Sequence, residues 1–435
     1  MSYFEQLDRK MAYCKSWLAQ RKEEGHNLKK EVAALQKALD NMSEHLAGMR
    51  VPPELARNEP DDLEDIRAQR PAGPRRLALN LTEAQLLDRL HGAWIGRAAG
   101  CILGIPCEGM SRQHIRNACK AYGAPYPLRG YWPVHPSGRG DLDTKHYGIT
   151  PFRRFLGPHL RYIGADDDLA YTLLGLLILE EHGAEFTSED VGAAWLKYLP
   201  IACTAEAVAL QNLKDGFKPP ETAKRKNPYT DWIGADIRSD PWGYAAPGRL
   251  EQAAEFAWRD ARVSHRATGT HAAMYFSAVI SAAFAVKEPV EALKLGLTEI
   301  PKNCRTAKAV RSALRRCKRD NDWYKTLDGI EKEYDGMTGV HALNNLEITV
   351  SGIYYGKGAF EKTIALTVMG GKDTDCTGAT AGSIIGAIRG FKRLPAKWTS
   401  PLGNRVESYL IGRRNWKSDA IAKRFLRVAR RIAAE

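Results

Sequence analysis

Residues Met369–Ser383 read MGGKDTDCTGATAGS. Two glycines lead into Asp373 and Asp375, separated by one threonine, and small residues then continue through "GSIIGAIRG". Gly378, Ala379, Ala381, Gly382, Ser383, Gly386 and Ala387 leave little side chain, so another helix can approach closely. The stretch therefore predicts a central helix whose acidic N-terminus lies in the interior or at the floor of a cleft. Two carboxylates this close repel each other, and desolvation raises the cost. They call for a metal ion or basic partners.

A second acidic cluster stands far away in sequence. Asp166, Asp167 and Asp168 follow "YIGA" and open the apolar run Leu169–Leu179. Aspartate is favoured at helix N-termini by capping and by the helix dipole, but three in a row exceed what a cap requires. Carboxylates and hydroxyls form an all-oxygen donor set that suits magnesium, manganese or calcium and not zinc. An EF-hand is excluded, because its ligand spacing and acidic twelfth position are missing. A binuclear site fed by both clusters is the economical reading. The eight cysteines are scattered without the close pairing of a zinc site, so free and mostly buried thiols are expected.

The rest of the chain reads as helices. Residues 1–50 carry Leu28, Val32, Leu35, Leu39, Met42 and Leu46 at spacings of three and four, which predicts a helical hairpin or coiled-coil-like extension, broken near Glu23–Asn27. Such an extension is expected to mediate self-association or hold a protein partner. Residues 51–79, rich in proline and charge, read as an extended linker. In the main body, residues 80–435, Thr82 is placed to cap the stripe Leu86, Leu87, Leu90, Ala93 and Trp94. "DDLAYTLLGLLILEEHG" predicts a second helix ended by Gly183, "PGRLEQAAEFAWRDARVSH" a third, and "GTHAAMYFSAVISAAFAV" a fourth that is apolar almost all round and hence buried. Alternating strand patterns are nearly absent. The fold class is all-α, many helices around one core.

No window reaches the ~18 uninterrupted apolar residues of a membrane span. The N-terminus "MSYFEQLDRK" lacks the apolar core of a signal peptide, so a cytoplasmic protein is expected. A net charge of +13 raises nucleic acid as a partner, but the basic residues are spread out. The local runs Arg315–Arg319 and Lys423–Arg431 fit the solvated faces of amphipathic helices.

"HGAWIGRAAGCILGIPCEG", "GADDDLAYTLLGLLILEEHG", "WIGADIRSDPWGYAAPG", "DARVSH" and "VMGGKDTDCTGATAGSIIGAIRG" occur in this order. Together, from Leu86 to Gly390, they resemble the ADP-ribosylglycohydrolase family. The resemblance implies a compact all-helical domain with two magnesium ions, or in some members manganese, at the base of a cleft. It also implies hydrolysis of the bond between C1″ of ADP-ribose and an acceptor, an arginine type being favoured. By position, Asp167, Asp168, Asp373 and Asp375 match the acids of the metal motifs, and Asp166 stands as a metal ligand where the family often has a threonine. Asp167, Asp168 and Glu108 become the candidates for proton handling. Cys376 falls where many members have a threonine ligand, and Cys101 where many have an aspartate. Gly234, Ala235, Asp236, His265 and Gly371 are implied to line the substrate cleft, with Tyr354 and Tyr355 as stackers for the adenine. The two cysteines also fit another reading, an inactive relative that binds ADP-ribosylated partners or neutralises an ADP-ribosylating toxin. A third reading is hydrolysis of ADP-ribosylated nucleic acid.

Overall fold

The computed structural model describes residues 3–136 and 152–434. The chain separates into two compact units, Met1–Pro53 and Glu54–Glu435. In the first, helix α1 (Tyr3–Glu23) and helix α2 (Lys29–Ala47) are joined by a turn at Gly25, which takes a positive φ of 89°. Tyr13 and Trp17 on α1 and Leu39, Met42 and Leu46 on α2 stand exposed.

The second unit begins where an extended linker was expected, and that expectation is corrected. Residues 54–79 contain most of α3 (Pro53–Asn58) and all of α4 (Leu63–Gln69). This strap lies on the unit's surface with Ile66 fully buried. The Trp258 indole donates to Asp61 O at 2.8 Å. Arg70 donates to Glu299 Oε2 at 2.8 Å and to Glu251 Oε1 at 2.6 Å. The charges that read as a solvated linker are thus spent on acids distant in sequence.

Helix α5 (Glu83–Gly104) opens with a capping box. Gln85 N donates to Thr82 Oγ1 at 3.2 Å, and Thr82 N donates to Gln85 Oε1 at 2.8 Å. Helix α6 (Asp167–His182) is buried on every side from Asp168 to Leu179 and ends at Gly183, φ 71°. Helix α7 (Ala267–Ala283) is also buried throughout, from Thr268 to Ala283. Around these lie α8 (Arg305–Asp320), α9 (Ala342–Gly356), α10 (Thr374–Arg389) and the C-terminal α11 (Ser418–Ala434). A two-stranded antiparallel sheet, Arg405–Glu407 with Asn415–Lys417, sets Val406 opposite Trp416. The body is all-α around one core, with short 3₁₀ turns between helices.

The axis of the body is the antiparallel pair α5 and α10. Gly92, Gly96, Gly100 and Gly104 recur every fourth residue on α5, and Gly378, Gly382 and Gly386 do so on α10. A Cβ added to Gly100 would lie 1.9 Å from Gly378 O, one on Gly96 2.2 Å from Gly382 O, and one on Gly92 2.5 Å from Gly386 O. The two backbones meet directly along four turns. That contact fixes where both helices end, and so where the acids of α10 sit.

Both basic runs are partly consumed within the chain. Arg316 pairs with Glu333, Arg319 with Asp320, Arg424 with Glu180, Lys423 with Asp419 and Arg430 with Glu83. Among the described residues, no helix is long and apolar enough to cross a membrane.

Candidate active site

The last glycine of α5 sets the floor of the site. Gly104 packs on the first turn of α10, where a Cβ would stand 2.3 Å from Asp375 N, and its carbonyl accepts from Thr374 Oγ1 at 2.9 Å. A 3₁₀ turn, Ile105–Cys107, then turns the chain outward to Glu108, which is exposed. Two backbone bonds lock this segment to the turn before α10: Gly109 N donates to Lys372 O and Lys372 N to Met110 O, both at 2.9 Å. Gly371 and Lys372 both have positive φ, 79° and 69°. A side chain on Gly371 would meet Met110 O at 2.8 Å, so glycine is required here. Asn345 of α9 holds Asp373 through a bond from its amide N to Asn345 Oδ1 at 3.1 Å.

Asp166 is the N-cap of α6, and its Oδ1 accepts from Asp168 N at 3.1 Å. The same oxygen accepts from the Cys101 thiol at 3.3 Å. Three sets of donor atoms each lie within 4.8 Å of one another: Cys101, Asp166 and Asp168; Asp168, Asp375 and Cys376; and Glu108, Asp373 and Asp375. Asp168 and Asp375 are shared between sets, so the two acidic motifs form one continuous cluster. Asp168 Oδ2, Asp373 Oδ1 and Asp375 Oδ1 are buried without a hydrogen-bond partner. Orphaned carboxylate oxygens converging from two helix N-termini fit a hard divalent cation.

The electrostatics agree. Burial, with the negative charge of Asp167 added, pushes Asp166 up to about 7. Desolvation together with Asp373 and Asp167 pushes Glu108 up to about 7. Burial and neighbouring acids push Asp168 and Asp375 well above the carboxylate range. Arg97 is the cation that touches the cluster, at 3.3 Å from Asp168 Oδ1, but its stronger partner is Asp240 at 2.6 Å. Burial and the surrounding acids raise Cys101 and Cys376 well above the usual thiol value. Cys101 therefore serves Asp166 as a donor, and Cys376 offers a protonated thiol, a poor ligand for a hard cation. The Thr377 hydroxyl is committed to Asp373 O at 2.9 Å.

The substrate-side residues divide. Gly234, Ala235 and Asp236 sit on a buried 3₁₀ turn, Ile233–Arg238. A Cβ on Gly234 would lie 2.1 Å from Glu206 Oε1. Neither Asp236 oxygen has a hydrogen-bond partner, and burial keeps the group well above the carboxylate range, with Asp373 among the acids that add to the shift. His265 is wholly buried with Nδ1 2.8 Å from Ser264 Oγ. Burial, then the charge of Arg238, holds it well below the ordinary histidine value. Tyr354 and Tyr355 are not brought to the acids. They end α9 about ten residues, or ~15 Å of helix, from Asn345. The Tyr355 hydroxyl lies 2.8 Å from Thr326 Oγ1 and donates to Cys317 O at 3.1 Å. Instead, a cavity of about 620 Å³ beside the Lys372 turn is lined by Tyr126, Tyr324, Tyr334, Arg112, Arg116 and Lys372.

Sequence reasoning missed Arg97, Glu206 and the glycines of α5. Arg97 and the glycines left a trace: a charge inside the apolar "AWIGRAAG", and glycine at every fourth position from Gly92. Glu206 stood on an unremarked helix, where it pairs with Arg238 at 2.7 Å.

An all-helical body built on a glycine-to-glycine helix pair, with two aspartate-tipped helices converging at its centre, defines a class of carboxylate-floored domains. Residues 82–432 match the family described as ADP-ribosylglycohydrolase, and the chain belongs to that family. Over 74 residues it is 34% identical to a Rhodospirillum rubrum protein named ADP-ribosyl-[dinitrogen reductase] glycohydrolase, a match covering 17% of this chain and 25% of that relative. A solved structure titled ADP-ribosylglycohydrolase-related protein complex superposes with a TM-score of 0.52 at 21% identity, over 80% of this chain and 99% of that one.

Proposed function

We propose that this protein hydrolyses the C1″ glycosidic bond between ADP-ribose and an acceptor, with two magnesium ions, or manganese in their place, held by Asp166, Asp167, Asp168, Asp373 and Asp375. The observation that carries the reading is the continuous carboxylate cluster with three orphaned oxygens, in a chain of this family. A divalent cation held there polarises oxygen ligands and grips vicinal hydroxyls.

The protein's own groups supply the rest. Cleavage at an anomeric carbon passes through an oxocarbenium-like state and needs a proton acceptor for the attacking water. Glu108, exposed beside the cluster with a carboxylate oxygen within 4.8 Å of oxygens of Asp373 and Asp375, is placed to take up or release a proton at the reacting centre. Asp167 and Asp168 orient ribose and water from the start of α6. The Tyr126–Tyr324–Tyr334 cavity offers rings for a base and, in Arg116 and Lys372, cations for a diphosphate. Arg112 on the same wall is paired with Asp328 and Glu331, and Asp335 also lines the cavity. Its volume is within the ordinary range for ligand pockets. These tyrosines take the role expected of Tyr354 and Tyr355.

An arginine-type acceptor is the preferred substrate, and the α1–α2 unit serves association. The protonated thiols of Cys101 and Cys376 within the acid cluster favour the second reading, a weak or inactive relative that binds ADP-ribosylated partners. The test is release of free ADP-ribose from arginine-linked, serine-linked and nucleic-acid-linked conjugates, with magnesium or with a chelator, alongside Asp375→Asn. Release that needs both magnesium and Asp375 supports hydrolysis and identifies the acceptor. Binding of ADP-ribose without release from any conjugate selects the second reading.

A further inference from the structure

Away from the acid cluster, three elements distant in sequence bring together three different ligand types. Glu59 lies just after α3 in the strap, His271 on α7, and Cys304 at the N-cap of α8. His271 and Cys304 are fully buried and Glu59 is 8% exposed. One donor atom from each lies within 4.8 Å of the other two. We propose that these side chains form a site for a borderline-soft divalent metal of the zinc class, fastening the strap to α7 and α8.

The histidine carries most of the case. Its Nε2 lies 2.8 Å from Pro60 O. A carbonyl can only accept, so Nε2 carries a proton. Burial opposes charge on the ring, but the Cys304 and Glu59 side chains outweigh it and push His271 up to about 10. A metal ion therefore takes Nδ1 by displacing the proton held there towards Glu59. Nδ1 is buried with no well-aligned hydrogen bond, yet it is 3.2 Å from Glu59 Oε2. Around tetrahedral zinc, nitrogen and oxygen ligands at ~2.0–2.2 Å stand about 3.3 Å apart. A ligating histidine characteristically donates its other N–H to a carbonyl or carboxylate, and Pro60 O fills that role.

The remaining ligands are held in ways that suit a cation. Cys304 Sγ accepts from Ala307 N at 3.3 Å in the first turn of α8. Glu59 Oε1 accepts from Arg305 N at 2.5 Å, and Oε2 accepts from Thr268 Oγ1 at 3.2 Å. One nitrogen, one oxygen and one thiolate leave a single corner of a tetrahedron for water. This donor set differs in kind from the all-oxygen cluster, so the two sites select different ions.

The test uses the full chain, stripped with chelator and titrated with cobalt(II), which reports thiolate ligation by a near-ultraviolet charge-transfer band. The expected result is one equivalent of tetrahedral cobalt, displaced by zinc, with the band lost in Cys304→Ser and kept in Cys376→Ser. Zinc should also raise the melting temperature of the wild type but not of His271→Gln. The absence of a band in the wild type would leave a plain imidazole–carboxylate pair and overturn the site. A band that survives Cys304→Ser would overturn it equally, assigning the metal to another thiol. The wild-type spectrum decides even if a variant fails to fold.

Discussion

At the scale of single residues, the centre of this protein is built against its own stability. Asp375 is buried beside Asp373, Asp168, Asp166 and Glu108, and both burial and their charges oppose its ionisation. Replacing it with Asn removes repulsion while keeping shape. Asp375→Asn should therefore melt higher than the wild type in chelator, by on the order of 1–3 kcal/mol. If the proposed magnesium site is right, the wild type gains melting temperature with added magnesium, and Asp375→Asn should lose that gain together with turnover. Equal melting of the two proteins in chelator would contradict this. Glu347 makes a similar case outside the site. Burial, then Glu333, moves it from 4.5 to about 8, and its Oε2 has no partner. The folded state therefore binds the Glu347 proton more tightly than the unfolded chain does. Its contribution to stability is full below about 4.5, declines as pH rises towards 8, and is flat above. Glu347→Gln should flatten that slope and stabilise the protein at pH 8 by a few kcal/mol, as read by denaturant melts across the pH series.

At the scale of elements, the glycine ladder between α5 and α10 is the feature on which the site depends. A methyl group on Gly96 would overlap Gly382 O at 2.2 Å, and the obstacle is backbone, not a side chain that can rotate away. Gly96→Ala and Gly382→Ala should each cost at least ~1–3 kcal/mol and, by displacing the first turn of α10, weaken the cation binding proposed for the acid cluster. Gly130, where an added Cβ meets nothing within 4 Å, is the control, and Gly130→Ala should leave the melt unchanged. Half of this ladder was legible. The small residues of α10 announced a close helix partner, and the aspartates at its start announced the site. The partner was harder to read, because the α5 glycines are set in an apolar stripe with Trp94 and Ile95 that already accounts for a buried helix. The distance of Tyr354 and Tyr355 from the acids was illegible for a related reason. Adjacent tyrosines suggest stacking, but their place at the far end of α9 follows from which end Asn345 anchors, a fact of tertiary structure.

At the scale of the molecule, the strap decides what can be removed. Proline and charge made residues 51–79 look like a spacer, because local composition cannot show that an arginine's partner lies far along the chain. Arg67 reaches Glu255 at 2.8 Å, Arg70 reaches Glu251 and Glu299, and Arg75 donates to Glu299 Oε1 at 3.1 Å. The Glu299 side chain is fully enclosed, so stripping away its arginines leaves a buried carboxylate without compensation, a change that typically costs about 3–5 kcal/mol. The same cut removes Ile66 from the core and Glu59 from His271. A chain starting at Glu54 keeps all of these contacts and should fold as the full chain does, with the same turnover in the ADP-ribose release assay that tests the proposed function. A chain starting at Asn80 retains every proposed catalytic residue, yet should melt well below it or be recovered unfolded. The comparison needs only two truncations, their melting curves and one turnover assay. Equal stability of the two truncations would mean that the strap is an ornament on the surface, and its ion pairs with it.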